Sequence, residues 1–138
     1  MLRLNQPEII ERALQLLAYQ ITESEWGDVL DISKTWTGET SKVGMIYLSQ
    51  YILRGTNRRE LINQARLKIE TAPPFTAISV LEGLYHSGTV DQREYEILAK
   101  SSCHFKSKAR HNWLAVRKNL ELIAAQTHTS YDLIDICP

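Results

Sequence analysis

Four pairs along this chain, each before or within an amphipathic run, set a residue that favours helix starts three positions ahead of an acid. The pairs are Asn5 and Glu8, Thr22 and Glu25, Asn57 and Glu60, and Asp91 and Glu94. In such a capping box the first side chain accepts an orphan backbone N–H. The acid reaches back to the first residue's own N–H or sits well against the positive helix end. Pro7 strengthens the first signal, because proline suits the opening turn of a helix. Each pair stands before or within an amphipathic run, so the chain is expected to be all-α, a single compact helical domain of about five to seven helices spanning residues 1–138.

The apolar spacing agrees. Ile9, Ile10, Ala13, Leu14, Leu16 and Leu17 recur at helical intervals. "VGMIYLSQYIL" at 43–53 is apolar almost all round and reads as a central buried helix, with a buried strand as its rival because Val, Ile and Tyr favour sheets and Gly44 weakens a helix. "RRELINQARLKIE" places Leu61, Ile62, Ala65 and Ile69 on one face, and "APPF" at 72–75 ends that helix. Residues 76–100 read as a helical hairpin turning at Gly88, which suits a left-handed cap. A DNA-reading helix–turn–helix is disfavoured there, because its second helix carries Arg93, Glu94 and Glu96 and is too acidic. "KTWTGETSK" at 34–42 reads as a polar loop carrying an exposed Trp36, a candidate interface anchor.

A chain of 138 residues, 43% hydrophobic and 23% charged, can bury a real core. It should remove roughly two-thirds of the surface that its unfolded form exposes. No run approaches the ~20 apolar residues a membrane span needs. "MLRLNQPEII" lacks the long apolar stretch of a secretory signal. A cytoplasmic protein is expected, with Cys103 and Cys137 as reduced thiols; a single bridge between them is the alternative.

The net charge is zero, but the charges are segregated. Residues 1–33 hold two bases and six acids, and residues 34–71 hold seven bases and three acids. Residues 72–103 hold two bases and four acids, and residues 104–122 five bases and one acid. Such alternation gives either a two-faced surface or helices that neutralise one another. On a wheel of ~100° per residue, Ala109, Trp113, Val116, Leu120 and Ile123 form the core stripe of a helix over 106–124. Lys106, Arg110 and Arg117 line its flank, with His111 and Lys118 further round and Lys108 opposite. Lys106, Lys108, Arg110, Arg117 and Lys118, with Arg58 and Arg59 of the basic segment at 54–68, are the candidates for contact with nucleic acid or an acidic protein. The plainer alternative is a solvated flank whose stems lie over apolar neighbours.

Catalytic signatures are missing. "GETSK" lacks the order of a phosphate loop, and no G-x-S-x-G or H-E-x-x-H occurs. Cys103, His104 and His111 match no usual zinc spacing, and a fourth ligand would have to come from His86, His128 or Cys137. Glu25, Asp28 and Asp31 lie at i, i+3 and i+6, more often a solvated face than a cation site. The tail "THTSYDLIDICP" carries Tyr131, Leu133, Ile134 and Ile136, either a last short helix or an arm that docks on another surface. The expectation is therefore a small regulatory or adaptor protein without catalytic residues, metal or cofactor, acting through protein–protein contacts. A nucleic-acid-binding protein using helices around 54–68 and 104–118 is the alternative, and homo-oligomer formation is left open.

Overall fold

The computed structural model describes residues 1–108, 110–128 and 136–137, with Arg110 described in its backbone alone. Tyr131, Leu133, Ile134, Ala109 and the Arg110 side chain lie outside the described residues. The fold is all-α. The helices are α1 (Pro7–Leu17), α2 (Glu23–Ser33), α3 (Gly38–Tyr51), α4 (Thr56–Thr71), α5 (Pro74–Ser87), α6 (Gln92–Ser102), the five-residue α7 (His104–Lys108) and α8 (Arg110–Gln126). None among the described residues is long and apolar enough to cross a membrane.

Two of the four start signals act as caps. At α2 the Thr22 backbone N–H donates to Glu25 Oε1 (3.3 Å), and the Thr22 hydroxyl donates to the same oxygen (2.7 Å). At α6 the Glu94 N–H donates to Asp91 Oδ1 (2.8 Å), and the Asp91 N–H donates to Glu94 Oε1 (3.0 Å). The other two asparagines tie segments together instead. Gln6, not Asn5, precedes α1, and the Asn5 amide donates to Thr37 Oγ1 (2.8 Å) while accepting from the Thr37 N–H (3.1 Å). Gly55, at φ 86°, precedes α4, and the Asn57 amide donates to the Glu23 carbonyl.

The helices share one hydrophobic core. α3 lies centrally, packing on α1, α4 and above all α5, and α5 in turn packs on α4 and α8. Leu48, Leu61, Val80, Leu84, Leu98 and Leu120 fill the interior. The stretch at 43–53 is thus largely a buried helix and not a strand, with Ile52 and Leu53 just beyond its end. Gly44 and Gly83 explain how neighbouring groups come so close to it. A Cβ on Gly44 would stand 2.4 Å from the Trp36 ring, and one on Gly83 would stand 2.4 Å from the Lys42 carbonyl oxygen and 2.8 Å from Met45 Cβ. Gly83→Ala should therefore destabilise the protein by about 1–3 kcal/mol. This is expected despite the ~1 kcal/mol that alanine gains over glycine in a helix. A urea transition at or above the wild-type midpoint would contradict this packing.

Trp36 is not the exposed anchor expected from its polar surroundings. It is 1% exposed, and its indole N–H donates to the Leu2 carbonyl at 2.8 Å. The surrounding segment is only partly loop, because α3 already begins at Gly38. Burial of so large a ring needs the N-terminal carbonyl and the bare face of Gly44, both remote in sequence or hidden in the pattern. Ala72 and Pro73 separate α4 from α5, Pro74 opens α5 instead of holding the chain extended, and Gly88 closes α5 in the left-handed conformation at φ 67°. Cys103 and Cys137, expected as reduced thiols, are joined in a disulfide.

Candidate functional site

The loop after α3 returns the chain toward α6. Leu53 and Arg54 stand exposed on it, and α4 then rises with Arg59, Ile62, Asn63 and Arg66 along one side, at i, i+3, i+4 and i+7. On α6, Arg93 and Ile97 face the same space one turn apart. Between the two helices lies a groove of about 490 Å³. Its apolar floor is Ile62 and Ile97 with Leu53 at the rim, and its basic lining is arginine alone: Arg54, Arg58, Arg59, Arg66 and Arg93. Asp91 and Glu94 are its acids.

These charges differ in availability. Arg58 is 5% exposed and fully engaged. Its Nε donates to Glu94 Oε2 (2.7 Å) and its Nη2 to Glu94 Oε1 (2.9 Å). Nη1 donates to the Ser49 carbonyl, the Ser49 hydroxyl and the Ile52 carbonyl at 2.7–3.0 Å, and Nη2 also reaches the Thr89 carbonyl at 3.2 Å. Arg58, expected as a surface contact, is therefore an internal clamp. Its guanidinium is used up in joining the end of α3, the start of α4 and the α5–α6 turn. Arg66 donates to Glu70 (3.0 Å) and to Asn63 Oδ1 (2.7 Å). Arg54, Arg59 and Arg93 are exposed, and among the described residues no carboxylate lies within ion-pair distance of them. With the Arg58–Glu94 and Arg66–Glu70 pairs neutral, Asp91 is the remaining acid of the groove's lining, while Arg54 also borders an adjoining pocket that holds Glu23.

The second basic segment lies elsewhere. α4 packs on α2, α5 and α6, whereas α8 packs on α5, α6 and α7, so α5 and α6 stand between the two segments. Val116, Leu120 and Ile123 form the buried stripe of α8, and Trp113 packs at its edge. Lys106, Lys108, Arg117 and Lys118 are exposed. Arg117 is paired with Glu121 (2.8 Å), and the Lys106 ammonium donates to the Cys137 carbonyl (2.8 Å). Among the described residues no ion pair joins the acidic N-terminal third to 54–68 or 104–118: Asp31 pairs with Lys34, and Glu23 lies beside Arg54 in an adjoining pocket without pairing to it. Glu25 serves its helix cap, and the described residues hold no cluster of His, Cys, Asp and Glu suited to a metal. Cys103 is in the bridge, so it offers no thiolate to His104.

Lys68 is the buried cation that the sequence reading passed over. It follows Leu61 and Ala65 at i+7 and i+3 on the apolar face of α4, which was the signal available. Its ammonium donates to the carbonyls of Ser33 (2.7 Å) and Trp36 (2.9 Å) and so holds the end of α2. Burial pushes its pKa down from 10.5 to about 8. Between those values the unfolded chain binds more protons than the folded one. Stability should therefore rise as pH climbs through about 8 toward 10.5, and fall in the reverse direction, by on the order of 3 kcal/mol over the full window. Above 10 the effect reverses for Tyr47, raised by its hydrogen bond to Glu11 and by burial, and for Tyr51, raised by burial. Urea midpoints at about pH 7.5 and about pH 9.5 check the sign. A lower midpoint at the higher pH would contradict it, and Lys68→Met should remove the slope.

No protein-family model, curated protein or solved structure matches the chain.

Proposed function

We propose that this is a non-enzymatic regulatory or adaptor protein that works by protein–protein contact, receiving an acidic segment of a partner in the groove between α4 and α6. The observation that carries this reading is the set of three exposed arginines without carboxylate partners beside an apolar floor. Arginine suits carboxylate recognition because its planar fork donates two parallel hydrogen bonds. Leu53, 62% exposed, supplies an apolar contact that an aliphatic side chain of the partner would cover. The clamp at Arg58 supports the same reading, since it fixes both walls of the groove before any partner arrives and so lowers the ordering cost of binding. The floor favours a peptide over a nucleic-acid backbone, which would need a longer basic track.

The test is selection of a displayed random-peptide library on the whole protein, with counter-selection on the variant Arg59→Glu/Arg93→Glu. Enriched peptides should combine Asp or Glu with Leu, Ile or Val, and should be lost on the variant. Enrichment indifferent to the charge reversal, or none, would contradict the reading. Single-stranded RNA and duplex DNA, followed by fluorescence anisotropy across a salt series, form the other arm. Tight binding that survives Arg59→Glu/Arg93→Glu but fails in Lys106→Glu/Lys118→Glu would move the function to the α7–α8 flank and to nucleic acid.

A further inference from the structure

We infer that the groove is a site for a phosphate monoester, carried by the partner segment next to an apolar side chain. This deepens the reading of the groove as a partner site and rests on it. The argument begins with charge. Two of the five lining arginines already have carboxylate partners, Arg58 in a buried pair with Glu94 and Arg66 in a half-exposed pair with Glu70. Within the lining, Arg54, Arg59 and Arg93 stand against Asp91, an excess of two positive charges; Glu23 lies outside it, in the adjoining pocket that Arg54 also borders. A single carboxylate would compensate half of that excess. A phosphate monoester, with a charge of about −1.5 to −2 at neutral pH and three acceptor oxygens, compensates nearly all of it. The second part is donor type. No lysine lines the groove, and guanidinium forks bind adjacent oxygens of one oxyanion in pairs. The third is size. About 490 Å³ is far more than a phosphate group fills, and the remaining floor is apolar. The ligand therefore carries an apolar part beside its dianion.

Phenyl phosphate combines both parts and is the probe. Its binding to the whole protein is followed by amide chemical shifts, beside phenyl sulfate and benzoate, which share the ring but carry one charge, and inorganic phosphate, which lacks the ring. The expected result is saturable shifts over residues 53–59 and 91–97. Phenyl phosphate should bind at least about tenfold tighter than the other three, a difference of about 1.4 kcal/mol. It should weaken from about pH 7.5 to about pH 5, as the second phosphate ionisation near 6 is lost. Arg59→Gln/Arg93→Gln, exposed positions whose change leaves the core untouched, should abolish the preference. Equal binding of the three ring-bearing anions, or a preference that the double variant retains, would overturn the phosphate assignment and leave the acidic-segment reading standing. Inorganic phosphate binding as tightly as phenyl phosphate would overturn the apolar part of the proposal. Discrimination among the anions with no groove-dependent peptide from the library, and none from a synthetic library bearing phosphoserine, would instead overturn the partner-segment reading.

Discussion

Arg58→Ala should lower the stability of the protein by about 3–5 kcal/mol, the usual cost of removing one member of a buried ion pair. The magnitude follows from what is left behind. Glu94 would remain 8% exposed with its charge uncompensated. The carbonyls of Ser49, Ile52 and Thr89 would lose their guanidinium donor together. Against a total stability of about 5–15 kcal/mol for a typical domain, such a loss brings the chain near unfolding. Arg58→Lys keeps the charge but not the fork, so it should recover only part of the difference. The double variant Arg58→Met/Glu94→Leu removes both charges and should be closer to wild type than Arg58→Ala alone. Urea transitions followed by far-UV circular dichroism measure all three. A midpoint for Arg58→Ala equal to wild type would mean that the pair is not formed as described.

Breaking the Cys103–Cys137 bridge should have an effect of similar size. The bridge closes a loop over 34 positions of sequence. The chain-entropy account gives roughly 3–4 kcal/mol for a loop of that length. The bridge also presents the Cys137 carbonyl to the Lys106 ammonium, so its loss should free an exposed charge on α7. Reduction of the wild type should lower the denaturation midpoint and leave Cys103→Ser, already without the bridge, unchanged. Alkylation of the folded, unreduced protein checks the pairing itself: no modification is expected before reduction and two are expected after it. Two thiols reacting in the native protein would contradict the bridge.

Much of the architecture was legible because it depends on neighbours in sequence. The capping pairs Thr22–Glu25 and Asp91–Glu94, the stop before Pro73, the left-handed Gly88 and the stripe of Val116, Leu120 and Ile123 are local devices. Readings failed where a residue's partner comes from elsewhere in the chain. Trp36 sits in a polar stretch, but Leu2 and Gly44 make room for it. Asn5 and Asn57 have the chemistry of caps, but Thr37 and Glu23 offer them tertiary partners.

The groove was half legible for the same reason. Its α4 wall appears in the sequence as a basic segment. Its α6 wall was set aside as too acidic, because Glu94 was counted as a surface charge. In the fold Glu94 turns inward to Arg58, and Arg93 is left to face the groove. The sign of a helix face depends on which of its charges are consumed inside, and only the tertiary structure decides that.

The most direct measurement of the central claim is an amide chemical-shift titration of the whole protein with the best peptide from the library selection. The account predicts shifts concentrated at Leu53 to Arg59, Ile62, Arg93 and Ile97, absent in Arg59→Glu/Arg93→Glu. Shifts confined to Lys106, Lys108 and Lys118, with the groove silent, would contradict it.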